Sequence, residues 1–128
     1  MKNLGLEDVP AQVEQHLAAF FDERAIAVET IGEPVAHAVG HLRRFVLGGG
    51  KRVRPTYGWA GFVGAGGLDG TEDPEAVLRA VSSLELIQAC ALVHDDIIDA
   101  SDTRRGNPTV HRALEAEHRS QGLLGLSL

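Results

Sequence analysis

Three aspartates fall within five residues, Asp95, Asp96 and Asp99, and Arg104 and Arg105 follow shortly after. On a helix Asp95 and Asp99 project to one side, about 40° apart at 100° per residue. Two carboxylates at that spacing repel, and each opposes the helix dipole near a C-terminus by roughly 0.3–1 kcal/mol. A divalent cation reverses both penalties. Oxygen ligands from one or two carboxylates, completed by water and phosphate, describe how Mg²⁺ is usually held. Gln88 lies within about 20° of both aspartates on the helical wheel and extends them into a polar stripe, Gln88–Asp95–Asp99. A solvated acidic helix end is the bland alternative. The two arginines weigh against it, because a planar guanidinium pairs phosphate oxygens bidentately. Their own bland alternative is a salt bridge to Asp102 or a neighbouring acid.

A second basic segment, Gly48-Gly49-Gly50-Lys51-Arg52-Val53-Arg54-Pro55, joins a triple glycine to three cations just before an expected helix start. Glycines let the backbone approach an anion, the cations supply charge, and the helix start supplies free N–H groups. The spacing is not that of a Walker A loop.

The elements that must position these residues are helical. Val13, Leu17, Phe20 and Phe21 recur at helix spacing, with Asp8 as a candidate cap and Pro10 in the first turn. A second helix is expected from Pro34, with an apolar stripe through Val35, Ala38, Val39, Leu42, Phe45 and Val46, ending at the triple glycine. A third starts at Pro55, runs through Tyr57, Trp59 and Phe62, and breaks in the glycine-rich segment 64–70. Asp73, Pro74 and Glu75 form a strong helix start. No glycine or proline occurs from Ala76 to Asp99, which permits about six to seven turns. Leu84, Leu86, Ile87, Ala89, Cys90, Ala91, Leu92 and Val93 make this helix apolar on most of its circumference, so it is expected to be buried. Residues 104–108 read as a loop or turn, and 110–119 as helix. Strand signals are nearly absent. The expected fold class is all-α.

Composition sets bounds on this reading. A chain of 128 residues, 44% hydrophobic, allows one domain with a packed core. A formal net charge of −6 argues against a general nucleic-acid binder. The single cysteine, Cys90, cannot form an internal disulfide and reads as a buried, reduced thiol; a Cys90–His94 nucleophile lacks a third orienting group. Residues 1–10 show no signal pattern, and no apolar run of the length needed to cross a bilayer is expected. The expectation is a soluble, cytoplasmic protein.

Taken in order, Gly49-Gly50-Lys51-Arg52-Val53-Arg54-Pro55, Glu85-Leu86-Ile87-Gln88, His94-Asp95-Asp96-Ile97-Ile98-Asp99 and Arg104-Arg105-Gly106-Asn107-Pro108-Thr109 resemble the successive N-terminal motifs of trans-prenyl diphosphate synthases. These include the farnesyl and geranylgeranyl diphosphate synthases. The resemblance covers about residues 10–122 and implies the N-terminal helices of an isoprenoid synthase bundle, with residues 1–128 forming one incomplete domain. It implies Mg²⁺-dependent condensation of isopentenyl diphosphate with an allylic diphosphate. By carry-over, Asp95 and Asp99 would ligate Mg²⁺ on the allylic diphosphate and Arg104 would bind that diphosphate directly. Lys51, Arg54, Gln88 and Arg105 would hold isopentenyl diphosphate. Many family members have His where this sequence has Gln88, a mild departure.

In the same family, side chains just before the first aspartate help to set product length. The small Cys90 and Ala91 favour a product longer than farnesyl, such as geranylgeranyl. The family also carries a second aspartate-rich motif later in a longer chain, and nothing in these 128 residues supplies it. The resemblance therefore implies part of a synthase, working as a homodimer or heteromer. The alternatives are a truncated, inactive chain that binds diphosphate and Mg²⁺ or pairs with a complete subunit, and an unrelated helical binding module. Class I terpene cyclases share an aspartate-rich motif but generally lack the Gly-Gly-Lys-Arg and Arg-Arg-Gly segments.

Overall fold

The computed structural model describes residues 4–122. Five α-helices follow one another: α1 (Val9–Ile31), α2 (Glu33–Leu47), α3 (Val53–Gly64), α4 (Pro74–Ile98) and α5 (Val110–Ser120). Between α4 and α5 a two-residue ladder pairs β1 (Thr103–Arg104) with β2 (Asn107–Pro108), antiparallel, with Thr103 opposite Pro108 and Arg104 opposite Asn107. The all-α expectation holds with that small addition. Residues 123–128, which complete the single domain expected over 1–128, lie outside the described residues.

Local sequence explains most element boundaries. In α1, Val9, Val13, Leu17 and Phe21 recur every four residues and are all buried. Pro10 sits in the first turn, where its missing N–H costs nothing. Asp8 does not cap the helix; its carboxylate accepts from the Gly5 N–H at 3.2 Å. Gly32, at φ 144°, allows the chain to reverse into α2. The start of α4 is the one the sequence implies, with the Asp73 side chain accepting from the Glu75 N–H at 3.1 Å ahead of Pro74. The third helix begins two residues before Pro55, because the Arg52 carbonyl accepts from both the Thr56 N–H at 3.1 Å and the Thr56 hydroxyl at 2.7 Å.

The core joins four helices: Val9, Val13, Leu17 and Phe21 from α1, Val46 from α2, Trp59 from α3, and Leu78 and Ala89 from α4. Gly58 lets α3 approach α4 closely; a Cβ there would sit 2.7 Å from Val81 Cγ1. The short α5 lies against α2 and α4.

Three expectations about α4 are corrected. It is not buried around most of its circumference: Leu78, Ser82, Ala89 and Asp96 are its buried residues, while Ile87 and Ile98 are 65% and 67% exposed. The described helices cover one side of α4 and leave Ile87, Ala91 and Ile98 facing solvent. Cys90 is an exposed free thiol, not a buried one, because it borders an open groove and not the core. Finally, α4 is long and apolar enough, by length and composition alone, to cross a membrane. Its core contacts and its ion-paired Glu85 are those of a bundle helix.

Candidate diphosphate and magnesium site

The C-terminal end of α4 presents the acidic turn. Asp95 and Asp99 are exposed, whereas Asp96, between them in sequence, is 3% exposed and points inward. The helix closes with the Asp99 N–H donating to the Asp95 carbonyl at 2.9 Å. Ala100 then takes φ 53°, a left-handed conformation usually left to glycine at this position. The Ser101 N–H donates back to the Asp96 carbonyl at 2.9 Å and turns the chain toward β1.

Arg104 meets this turn through one edge of its guanidinium, Nε and Nη2. Its Nε and Nη2 donate to the two Asp96 oxygens at 2.9 and 2.7 Å. The Arg104 hydrogen bond holds the Asp96 carboxyl below the usual carboxylate range, against the upward push of burial. The guanidinium is raised in turn, chiefly by the same bond, with the Asp95 charge adding to it.

Arg105 and Gly106, both at positive φ (55° and 78°), form the two central residues of the β1–β2 turn. That pattern matches the right-handed twist of a tight hairpin. The strained backbone at Arg105 aims its side chain at the triple glycine, where Nη1 donates to the Gly49 carbonyl at 3.1 Å and reaches the Phe45 carbonyl at 3.5 Å. Gln88 and Arg105 line the same small cleft, alongside Arg52 and Glu85. Lys51 and Arg54 are exposed on either side of Arg52, which is 4% exposed. Arg52 donates to Glu85 at 2.8 Å and to Glu14 at 3.4 Å.

The donor set suits magnesium. Among the described residues no group of three or more His, Cys, Asp or Glu side chains is arranged to hold a metal. Two exposed carboxylates one turn apart leave most of the coordination shell to water and phosphate, the arrangement Mg²⁺ accepts and Zn²⁺ structural sites do not. An apolar groove of about 640 Å³ runs between α4, α1, α2 and α5, lined by Phe20, Phe21, Leu42, Cys90 and Val93 among others. Ala91, by contrast, faces the open side of α4.

Comparisons with known proteins agree on one family. Residues 36–120 match the polyprenyl synthetase family. The chain belongs to that family. It is 40% identical over 94 residues to heptaprenyl diphosphate synthase component 2 of Geobacillus stearothermophilus, covering 73% of this chain and 27% of that protein. It is 35% identical over 92 residues to the geranylgeranyl diphosphate synthase of Rhodobacter capsulatus, covering 70% and 30%. Among solved structures it is similar to the geranylgeranyl pyrophosphate synthase of Corynebacterium glutamicum complexed with isoprenyl diphosphate and magnesium. The TM-score is 0.90 and the identity 56%, over 95% of this chain and 34% of that one. This polyprenyl synthetase chain thus spans about a third or less of the length of the relatives it matches.

Within this polyprenyl synthetase chain, the fold brings Gln88, Arg105 and the triple glycine together and sets Asp95 and Asp99 on one open face. It does not leave Arg104 free: one edge of its guanidinium is engaged by Asp96. Sequence reasoning gave Asp96 no role and left Arg52 without a partner, although it set Arg52 apart from Lys51 and Arg54 in the carry-over from the family. The signal for Arg52 was available in Glu85, an acid on the apolar stretch of α4 that needs a partner. A third missed group is the clasp of Glu117 on α5 by two histidines of α2. His37 Nδ1 lies 2.6 Å from one Glu117 oxygen, and His41 Nε2 makes a shorter contact to the other. The His41 hydrogen bond, followed by that of His37, holds the Glu117 carboxyl below its usual range. Histidines four apart on a helix were the available clue.

Proposed function

We propose that this chain is the first-aspartate-motif portion of a prenyltransferase that joins isopentenyl diphosphate to an allylic diphosphate. The observation that carries the reading is the Asp95–Asp99 face with Gln88 and Arg105 drawn toward the glycine–lysine loop. Magnesium bound at Asp95 and Asp99 would supply Lewis-acid charge against the diphosphate oxygens. Lys51, Arg54, Gln88 and Arg105 would hold the second diphosphate by charge-assisted hydrogen bonds. Arg104, fixed by Asp96 and close to Asp95, would present its remaining N–H groups to the allylic diphosphate and lock the acidic turn.

The leaving diphosphate accumulates negative charge as the carbon–oxygen bond breaks, and the preset guanidinium groups favour that charge without reorganising. Apolar walls keep water from the carbocation that remains. The small Cys90 on the groove wall fits a product longer than farnesyl, of geranylgeranyl class; Ala91, on the open side of α4, adds nothing to that argument. A cytoplasmic location and assembly with a second subunit, identical or different, belong to the same reading. The name "component 2" of the relative from Geobacillus stearothermophilus is consistent with a heteromer.

The test is a chimera in which residues 4–122 replace the matching segment of the synthase from Corynebacterium glutamicum. It should form a prenyl diphosphate longer than its allylic substrate, and Asp95→Ala in the chimera should abolish turnover. A folded chimera without prenyl transfer, or one indifferent to Asp95→Ala, overturns the reading.

A further inference from the structure

Behind the acidic turn lies a buried imidazole. His111, in the first turn of α5, is 5% exposed, and its Nδ1 has no hydrogen-bond partner among the described residues. The cost of leaving a buried polar atom unpaired makes such groups rare, and a functional charge nearby is one reason to keep one.

His111 is held at a set position relative to the turn. Thr109, fully buried, donates its N–H to the Asp102 carbonyl at 3.0 Å and its hydroxyl to the Ser101 carbonyl at 2.9 Å. The start of α5 is thereby tied to the two residues that lead out of the acidic turn. From there the imidazole reaches two carboxylates, Asp96 and Glu115. After the hydrogen bonds from Arg104 and Arg112 respectively, it adds to what holds each carboxyl below its usual range. The two acids differ in what else they meet. Glu115 takes Arg112 at 2.7 Å and Arg119 at 2.6 Å. Asp96, 3% exposed, is ion-paired with Arg104 alone among the described residues. A charge that deep is little screened by water, so the share of the imidazole counts most at Asp96.

Arg104 faces two claims. In the proposed function it offers N–H groups to a diphosphate, yet a buried carboxylate with no other partner holds a guanidinium tightly to itself. A second group sharing the Asp96 charge weakens that hold. An imidazole suits the task, because it can turn an N–H toward a carboxylate from either ring nitrogen.

We infer that His111 is a positioning residue that shares the buried charge of Asp96 and so leaves the Arg104 guanidinium available to a diphosphate held at Asp95 and Asp99. The inference deepens the proposed function and rests on it for the ligand; the sharing of Asp96 between His111 and Arg104 stands without it.

The experiment compares the 128-residue chain with its His111→Phe variant, which keeps a ring and removes both nitrogens. Without ligand, nuclear magnetic resonance follows exchange of the Arg104 Nε–H with water. Asp96, left with one partner, should grip Arg104 harder and slow that exchange about fivefold, the factor an ordinary hydrogen bond is worth. Val13→Ala, a core truncation in α1, should lower the urea midpoint without slowing it. With Mg²⁺ and inorganic pyrophosphate, calorimetry should show binding weakened about fivefold in His111→Phe and partly restored in His111→Gln, whose amide keeps an N–H. In an Asp96→Asn background His111→Phe should change neither readout further. Unchanged or faster Arg104 exchange, wild-type affinity in His111→Phe, or an undiminished effect in Asp96→Asn each overturns the inference. Absence of Mg²⁺–pyrophosphate binding in wild type overturns the proposed function and with it the role toward diphosphate, while slowed exchange would still uphold the sharing of Asp96.

Discussion

Truncating Arg104 to alanine tests whether one ion pair holds the acidic turn. Asp96 is 3% exposed and takes both Arg104 hydrogen bonds, at 2.9 and 2.7 Å. Removing one partner of a fully buried pair costs about 3–5 kcal/mol, because the other charge is left without compensation. The Arg104 side chain is 29% exposed, so water can enter the vacated space. The expected loss for Arg104→Ala is therefore about 2–3 kcal/mol. Asp96→Asn keeps the shape but removes the charge, at about 1–2 kcal/mol. The double variant should lose less than the sum of the two, by about 1.5 kcal/mol.

Urea unfolding followed by far-ultraviolet circular dichroism measures all four corners of the cycle. The pH dependence supplies a second check. The Asp96 carboxyl is depressed in the folded chain, so its contribution is present above the unfolded value of about 3.9 and lost as pH falls through the lower folded value. The gap between wild type and Arg104→Ala should therefore narrow in acid. A coupling below about 0.5 kcal/mol, or a gap indifferent to acid, refutes the reasoning.

Other outcomes follow from single contacts. Glu117→Gln removes the charge shared by His37 and His41 and should lower the melting temperature at neutral pH. Since the Glu117 carboxyl is also depressed, the difference should fade in acid, as pH falls below the ordinary glutamate range and the wild-type group protonates. Gly58→Ala places a methyl 2.7 Å from Val81 Cγ1 and should cost about 1–3 kcal/mol in thermal or urea unfolding, by forcing α3 and α4 apart. Mg²⁺ with a diphosphate should raise the melting temperature, equivalent to about 2.7 kcal/mol at a hundredfold excess over Kd, and Asp95→Ala should abolish the rise. The 128-residue chain incubated alone with isopentenyl and allylic diphosphates should give no C15 or C20 diphosphate by product analysis.

The candidate site was legible in outline because its signals are local. Helix periodicity alone puts Asp95, Asp99 and Gln88 on one side of α4; in the fold Asp95 and Asp99 are exposed, while Gln88 is half-buried in the cleft beside Arg105. The Arg105–Gly106 turn was legible from its composition, and its positive φ values follow. Which protein groups each arginine meets was not legible. Lys51, Arg52 and Arg54 are equivalent as sequence, yet Arg52 is drawn inward because Glu85 and Glu14, 33 and 38 residues away, converge on it. Arg104 and Arg105 are adjacent, yet one reaches Asp96 and the other crosses to α2 and Gly49. Cys90 was misread for a related reason: apolar neighbours along the chain reveal a buried arc but not which arc the other helices cover.

By itself, then, the sequence determined the helices, the acidic stripe and the family, since each depends on residue spacing within a turn or two or on motifs read in order. The tertiary structure decided the pairing of charges. Buried ions are settled by whichever opposite charge the packing delivers within hydrogen-bond range, and those partners come from other helices. Packing made Arg52 and Asp96 structural, left Lys51, Arg54, Asp95 and Asp99 facing outward, and buried His111 behind Asp96, a pairing that no stretch of sequence marks.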